Sequence, residues 1–118
     1  RLPGARADDA GVGLRFAGQG GEDPAGTLSP DFAEQARQAL LNLRTALESR
    51  GASLADVFKL TLLIVDHSEA RLALWVAAAN AAWGQLSKPT CTLIPVPRLA
   101  LDGMQIEVDA VAALPATS

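Results

Sequence analysis

The sequence contains one cysteine, no tyrosine and few aromatic residues, which make up 4% of the chain. A single cysteine excludes an intramolecular disulfide, and no charged segment followed by an apolar stretch opens the chain, so we expect a cytoplasmic protein. So few aromatic side chains leave little that stacks on nucleic-acid bases. The basic residues are scattered through a chain of net charge −3 and form no patch for a phosphate backbone. We therefore expect no nucleic-acid partner.

The sequence also lacks a hydrophobic run of about 20 residues, the length that a membrane-spanning helix needs. Its apolar segment from Phe58 to Val65 is much shorter, so we expect no membrane association. A length of 118 residues with 49% hydrophobic and 19% charged residues predicts one folded domain, residues 1–118, with one core. The apolar fraction exceeds what so small a core needs, which favours a homo-oligomer.

The first half of the chain predicts a strand followed by a helix. Residues alternate from Val12 to Ala17, and the glycine-rich Gly18–Gly21 segment ends the strand. This segment lacks the lysine and hydroxyl residue of a phosphate-binding loop. Ser29 is the expected N-cap, with Pro30 at the first helical position, and Gly51 is expected just after the helix.

The middle of the chain predicts a central strand and a second helix. The segment from Val57 to Val65 is apolar at nearly every position, as in a strand buried on both faces. Ser68 is the expected cap of a helix that ends near Gly84. Trp75 and Trp83 lie on one stripe of this helix and are expected to anchor a core or an interface.

Two further strands are predicted, from Thr90 to Val96 and from Gln105 to Ala110, around a turn at Asp102-Gly103. If these strands are neighbours, they bring Cys91 and Glu107 to one site, although the sequence alone does not show that they pair. The order β, α, β, α, β, β predicts an α+β fold with both helices on one face of a sheet. The other face would be uncovered, and a homo-oligomer is the simplest way to cover it.

A set of short segments, in their order and spacing, forms a recognisable pattern over about residues 12 to 112: Ala17-Gly-Gln19, Gln35-Ala-Arg-Gln-Ala-Leu40, Asn42-Leu43, Gly51, Val57-Phe-Lys-Leu-Thr61, Asp66, Pro89, Arg98-Leu99 and Ile106-Glu107-Val108-Asp109-Ala110. This pattern resembles the reactive intermediate deaminase (Rid, or YjgF) family. The resemblance implies a chorismate-mutase-like fold, which is a mixed β-sheet with two helices packed on one face, and a homotrimer with a central β-barrel. It also implies three clefts between subunits.

The resemblance implies a small-molecule ligand, a hydrolytic deamination of imines or enamines, and neither cofactor nor metal. The family's carboxylate-binding arginine falls on Cys91, and its glutamate is retained as Glu107. A cysteine lacks the planar guanidinium that grips a carboxylate, which argues against ordinary 2-imino acid deaminase activity. The predicted catalytic residues are Cys91 and Glu107. The predicted ligand-binding residues are Ala17, Gly18, Ala77 and Leu93.

Each candidate also has a structural interpretation. Cys91 is either a nucleophile or a small residue that fills the space of an arginine, and a neighbouring Glu107 would raise the pKa of its thiol. Glu107 is either a general base or a polar residue on the solvated or barrel-facing side of its strand. For His67 a solvated turn is expected, and for Arg98 a structural role. Two functions stay open: a hydrolase of a small imine, enamine or carbonyl compound, and a non-catalytic binding or regulatory trimer.

Overall fold

A computed structural model describes residues 12–114, which form one four-stranded sheet with two helices. The order of the elements confirms the predicted β, α, β, α, β, β pattern, while the predicted domain limits at residues 1 and 118 lie outside the described residues. The elements are β1 (Val12–Gly20), α1 (Phe32–Ser49), a short 3-10 helix (Leu54–Asp56), β2 (Val57–Val65), α2 (Glu69–Trp83), β3 (Thr90–Val96) and β4 (Ile106–Leu114). None of the helices within residues 12–114 has both the length and the apolar character needed to cross a membrane.

The sheet is mixed, with the strand order β1-β4-β2-β3. Strand β4 is antiparallel to both β1 and β2, whereas β3 is parallel to β2. The last two strands are therefore not neighbours, because β2 lies between them. The reason is the connection through α2: a strand–helix–strand crossover pairs β3 in parallel with one edge of β2 and leaves the other edge to β4.

One face of the sheet packs on both helices and forms the core. Alternate residues of β2 and β4 are fully or almost fully buried on this face: Leu60, Leu62, Ile64, Ile106, Val108, Ala110 and Ala112. Leu43 and Leu47 of α1 and Trp75 and Trp83 of α2 cover them. The indole N–H of Trp83 donates to the carbonyl of Leu54 at 3.1 Å, which satisfies its only donor inside the core. The two tryptophans are core residues, as predicted.

The opposite face of the sheet carries no helix within residues 12–114. The intervening residues of β2 and β4 are only half-buried there, among them Thr61, Leu63, Glu107 and Asp109. Leu63 pairs in register with Ile94 of β3, which is 43% exposed. The prediction of an uncovered face is confirmed for this part of the chain, and the face is partly apolar.

Helix α1 begins two residues later than predicted. Asp31, not Ser29, is the N-cap, because its carboxylate accepts the backbone N–H of Glu34 at 3.1 Å. The first helical residue is accordingly Phe32 rather than Pro30. The Ser29 hydroxyl instead accepts the N–H of Asp31 at 3.1 Å and tightens the approach to the helix. The sequence offers two good caps in three residues, and the aspartate also complements the helix dipole.

The other helix boundaries agree with the predictions. Gly51 follows α1 with φ +77° and donates its N–H to the carbonyl of Glu48 at 3.1 Å. The Ser68 hydroxyl caps α2 by accepting the N–H of Arg71 at 3.2 Å. Gly84 ends α2 with φ +55°, a conformation that glycine adopts without steric cost.

Candidate functional site

The first group of predicted site residues lies at the end of β1, where the strand bulges against β4. Phe16 pairs with Ala110 and Gln19 with Val108, so Ala17 and Gly18 together face the single residue Asp109. The N–H of Gly18 donates to the Asp109 carboxylate at 2.8 Å, and Gly18 has φ +74°. This backbone is left-handed, so the bulge depends on a glycine at position 18.

Glu107 lies beside this bulge on the uncovered face of the sheet. It is half-buried and pairs with Gly20 of β1 and Leu63 of β2. Burial raises the pKa of the Glu107 carboxyl above its ordinary value of 4.5, and the negative charges of Asp109 and Glu22 raise it further. A carboxyl with a raised pKa holds its proton closer to neutral pH, which suits it to both accept and return a proton.

A polar cavity of about 240 Å³ adjoins the first group. It is lined by Arg15 and Ala17 of β1, Lys59 and Thr61 of β2, and Asp109 of β4. Both signs of charge are therefore present on this part of the uncovered face. The Asp109 carboxylate is already engaged with the backbone of Gly18, so it stabilises the bulge.

The second group surrounds Cys91 on the face that packs on the helices. Cys91 pairs in parallel register with Leu60, whose side chain is buried under the helices. A cavity of about 120 Å³ lies between this edge of the sheet and α2, and Cys91, Trp75 and Ala79 line it. The thiol is exposed to solvent on one side, while burial on the other raises its pKa above 9.0. The sulfur is therefore a neutral thiol near neutral pH, which makes it a weak nucleophile.

The two other predicted ligand-binding residues, Leu93 and Ala77, lie against the core and at the surface, respectively. Leu93 lies on the same face as Cys91 and packs against the hydrophobic core. Ala77 is exposed and is not among the residues that line the cavity. Val76 and Asn80, which lie one helical turn apart, line it instead. In the sequence, their spacing of four residues indicated that Val76 and Asn80 lie on the same side of α2 and so could line one cavity together.

Cys91 and Glu107 are not brought together within one chain. They lie on opposite faces of the sheet, in strands that are separated by β2. The idea that neighbouring strands bring them to one site is therefore wrong for the single chain. The expectation that a neighbouring Glu107 would raise the pKa of the thiol applies only where the two residues are neighbours; within one chain it is burial that raises the pKa of Cys91.

The two remaining polar candidates differ from each other. Arg98 forms an exposed ion pair with Asp102 at 2.9 Å, four residues further along the chain, which agrees with a structural role. His67 is half-buried, and its Nδ1 is buried without a hydrogen-bond partner among the described residues. The expectation of a solvated turn residue therefore does not hold for this nitrogen, although the side chain as a whole is partly exposed.

Two amide side chains of α1, which sequence analysis did not identify as functional, hold the loops around the first group. Gln35 is fully buried, and its Nε2 donates to the carbonyls of Ser29 at 2.7 Å and Gly103 at 2.8 Å. Its Oε1 accepts the N–H of Gln105 at 2.9 Å. The available signal was a glutamine on the apolar stripe of an amphipathic helix, where a polar residue needs partners.

Asn42 of α1 likewise holds the backbone at the end of β1 through hydrogen bonds of its side-chain amide. Its Nδ2 donates to the carbonyls of Gly20 at 2.9 Å and Glu22 at 2.7 Å, and its Oδ1 accepts from Gln38 at 2.9 Å. The amide thereby fixes the chain that leaves the bulge at Gly18. Gln35 and Asn42 together tie α1 to the start of β4 and to the end of β1, which lie side by side in the strand pair that carries the first group.

The amino-acid sequence is similar to that of known proteins over almost its whole length. The family model described as Endoribonuclease L-PSP matches residues 6–114. A RutC family protein of Pyrococcus horikoshii is 34% identical over 93% of this chain and 86% of its own length. A protein of Salmonella typhimurium named 2-iminobutanoate/2-iminopropanoate deaminase is 28% identical over 93% of this chain and 86% of its own.

Solved structures show the same similarity in three dimensions. A Rid family protein of Yersinia pestis, YyfB, has a TM-score of 0.84 at 36% identity and covers 89% of this chain and 80% of its own. The structure of Escherichia coli TdcF with bound serine has a TM-score of 0.79 at 27% identity. This match covers 95% of the present chain and 92% of TdcF.

Proposed function

Because this chain belongs to the Rid (YjgF) family, the family of the Endoribonuclease L-PSP model, we propose that it hydrolyses a small imine or enamine in a cleft between two copies of the chain. Water adds to the carbon of the C=N bond, and the resulting carbinolamine loses ammonia to leave a carbonyl compound. The same cleft accepts related carbonyl metabolites as ligands. The assembly that forms these clefts is a homotrimer whose sheets enclose a central barrel.

The separation of the two groups within one chain is the observation that carries this proposal. Glu107 and Gly18 lie towards the β1 edge of the sheet, whereas Cys91 lies at the opposite edge, formed by β3. A site that uses both groups therefore needs two chains. The uncovered face, with Leu63 and Ile94 side by side, supplies an apolar surface for such an association.

Glu107 is the proton carrier of the proposed reaction. Its raised pKa allows the carboxylate to take a proton from the attacking water and then to return it to the leaving nitrogen. The Gly18 bulge and Asp109 are positioning elements, because their hydrogen bond fixes the backbone next to Glu107. Cys91 shapes the opposite wall of the cleft, and its neutral thiol has no covalent part in the reaction.

The names of two relatives support the choice of ligand class. The Salmonella protein is named as a deaminase of 2-iminobutanoate and 2-iminopropanoate, and TdcF was solved with serine bound. All three molecules are small and carry a carboxylate. The ribonuclease activity in the family description is not carried over to this chain, because its net charge of −3 does not favour RNA.

Ammonia release from imines provides the test. Imines are generated in situ from amino acids by an amino-acid oxidase, and free ammonia is followed with and without the protein. We expect the wild type to accelerate release and Glu107→Gln to abolish the acceleration, with Glu69→Gln on exposed α2 as the matched control. Cys91→Ser should retain the rate. If Glu107→Gln releases ammonia as fast as the wild type, Glu107 is not the proton carrier and this mechanism is wrong.

A non-catalytic binding trimer is the second candidate, and the state of Cys91 favours it. The position that carries an arginine in the resembled family holds a neutral thiol with a raised pKa. This alternative predicts that small imines and carbonyl compounds raise the melting temperature of the protein without release of ammonia. The two measurements, made on the same preparation, separate the two functions.

A further inference from the structure

Gly20, the last residue of β1, leaves a space on the uncovered face of the sheet that another side chain fills. A Cβ placed on Gly20 would meet the Oε1 atom of Glu22 and the methyl carbon of Met104. A Cβ placed on the next residue, Gly21, would instead meet Gln35 of α1. Successive residues of an extended chain point to opposite faces of a sheet, so Gly21 faces the helices and Gly20 faces away from them. The Glu22 carboxyl group therefore lies over Gly20 on the uncovered face.

Glu107 lies directly opposite this position. Gly20 and Glu107 are partners in the antiparallel register of β1 and β4. Residues paired in this way project to the same face of the sheet, with Cβ positions about 4.5 to 5.5 Å apart. Because the Glu22 carboxyl group lies where the Cβ of residue 20 would be, it takes the place of a cross-strand neighbour of Glu107. Two carboxyl groups, both on half-buried residues, are therefore adjacent on the uncovered face.

Negative charge dominates the surroundings of Glu22 and Glu107 within residues 12–114. Asp109, two residues from Glu107 on β4, adds a third carboxylate on the same face. Its hydrogen bond from the N–H of Gly18, at 2.8 Å, leaves the negative charge in place. The ion pairs found in this part of the chain include none of the three acidic residues. Met104 is 7% exposed, and its methyl group over Gly20 keeps water from one side of the Glu22 carboxyl group.

The neighbouring strands bring no cation close to Glu107. Its partner on β2 is the apolar Leu63, and β3 contains no charged residue. Arg15 and Lys59 are the only charged residues of β1 and β2, and both pair with Val111 of β4. Val111 is four residues from Glu107, or about 13 Å along the strand. This distance exceeds the length of about 8 Å over which salt screens exposed charges. Both helices pack on the other face of the sheet.

We propose that Glu22 is a positioning residue of the proposed reaction: its negative charge, held over Gly20, makes Glu107 a stronger base towards the attacking water. A like charge nearby disfavours the ionised form of a carboxyl group, which therefore takes up a proton more readily. The pKa of Glu107 agrees with this arrangement, because burial raises it most, followed by the charges of Asp109 and Glu22. This inference rests on the proposed function, in which Glu107 is the proton carrier.

Titration of Glu107 by carbon-13 NMR of the glutamate carboxyl groups tests the inference without any turnover. The chain contains five glutamates, and the signal that is missing in Glu107→Gln identifies Glu107. We expect Glu107 to titrate at a lower pH in Glu22→Gln than in the wild type, because one like charge has been removed. Glu48→Gln is the matched control: it removes the same charge from an exposed position on α1 and should leave this titration unchanged.

Gly20→Ala moves the Glu22 carboxyl group without removing its charge. The φ angle of Gly20 is not positive, and the atoms that a Cβ would meet are the ends of two flexible side chains, so the fold should accept the alanine. The methyl group also adds burial, which is measured alone when Gly20→Ala is made in the Glu22→Gln background. Relative to that background, Gly20→Ala in the wild type should shift the titration of Glu107 to lower pH. Gly13→Ala, with open space on the same strand, is the control and should cause no shift.

The pH profile of ammonia release connects the two carboxyl groups with the reaction. The acid limb of kcat/KM reports the titration of the essential base, so it should move to lower pH in Glu22→Gln and stay in place in Glu48→Gln. A titration of Glu107 that is unchanged in Glu22→Gln, or equally shifted in Glu48→Gln, would overturn the inference even if ammonia release depends on Glu107. A shifted titration without any release of ammonia would confirm the effect of Glu22 on Glu107 and exclude the hydrolase.

Discussion

Replacement of Gln35 by alanine tests whether one buried amide holds the loops around the candidate site. Gln35 is fully buried and makes three hydrogen bonds, to the carbonyls of Ser29 and Gly103 and to the N–H of Gln105. Ser29, Gly103 and Gln105 all line a cavity of about 540 Å³. In Gln35→Ala these three backbone groups lose their side-chain partner.

The size of the effect follows from the three hydrogen bonds and the space that is left. Each bond contributes about 1 kcal/mol net, and truncation of the side chain adds about 1 kcal/mol for the cavity. We therefore expect Gln35→Ala to lower the free energy of unfolding by about 4 kcal/mol. In a domain of this size the melting temperature should fall by roughly 15 °C.

Urea unfolding, followed by far-UV circular dichroism, measures this loss. Thr45→Ala is the matched control on α1, because Thr45 is exposed and should change stability by less than about 0.5 kcal/mol. Gln35→Glu keeps the shape but cannot donate to the two carbonyls while it is ionised. This variant should be unstable near pH 7 and should recover part of its stability as the pH falls and the carboxyl becomes protonated.

A small effect would refute the reasoning. If Gln35→Ala costs less than about 1 kcal/mol, the backbone groups find other partners, and the amide does not fix these loops. If Gln35→Glu is as stable as the wild type near pH 7, the two carbonyls do not depend on a donor at this position.

Three further predictions concern the two groups of the site. The pKa of Glu107 is raised from 4.5 in the folded chain, so its protonated form stabilises the fold. This stabilisation is complete below pH 4.5 and is lost as the pH rises through the folded pKa. Thermal scans should therefore show Glu107→Gln to be more stable than the wild type near pH 7, with a difference that shrinks towards about pH 4. Gly18→Ala should lower the free energy of unfolding in urea by about 1 to 2 kcal/mol, because Gly18 has φ +74° although there is open space for a Cβ. Gly13 also has open space for a Cβ but no positive φ, so Gly13→Ala should not destabilise the fold. Equal losses of stability in the two variants would contradict the argument. Iodoacetamide should alkylate Cys91 more slowly near pH 7 in the folded chain than in the chain unfolded by urea, because burial raises the pKa of the thiol in the folded chain. The rate in the folded chain should keep rising as the pH rises above about 7, and a plateau near pH 7 would reveal a thiolate.

The sequence was sufficient to predict the elements and the uncovered face of the sheet. Both depend on local periodicity: the alternation in β4 and the stripe that includes Trp75 and Trp83 on α2 show which side of each element is buried. The cap of α1 was misplaced by two residues, because Ser29 and Asp31 are both good caps and only the hydrogen bond to Glu34 distinguishes them.

The arrangement of the site was not predictable from the sequence, because it depends on non-local pairing. Nothing in the sequence of β3 or β4 indicates that β2 lies between them, so the relation of Cys91 to Glu107 could not be deduced. The cavity beside Cys91 brings together Asn80 from a helix and Lys88 from a connecting segment. Such a convergence appears only when the packing of α2 on the sheet is known.

Complementation between two inactive variants tests the cleft between copies most directly. Glu107→Gln removes the proton carrier of the first group, and Val76→Phe fills the cavity of the second. The two variants are co-expressed with different tags, and assemblies that carry both tags are purified and assayed for ammonia release from imines. If the site lies between chains, each mixed trimer has one intact cleft and should show roughly one third of the wild-type rate. A mixture no more active than either variant alone, with mixed trimers present, would contradict a site shared between chains.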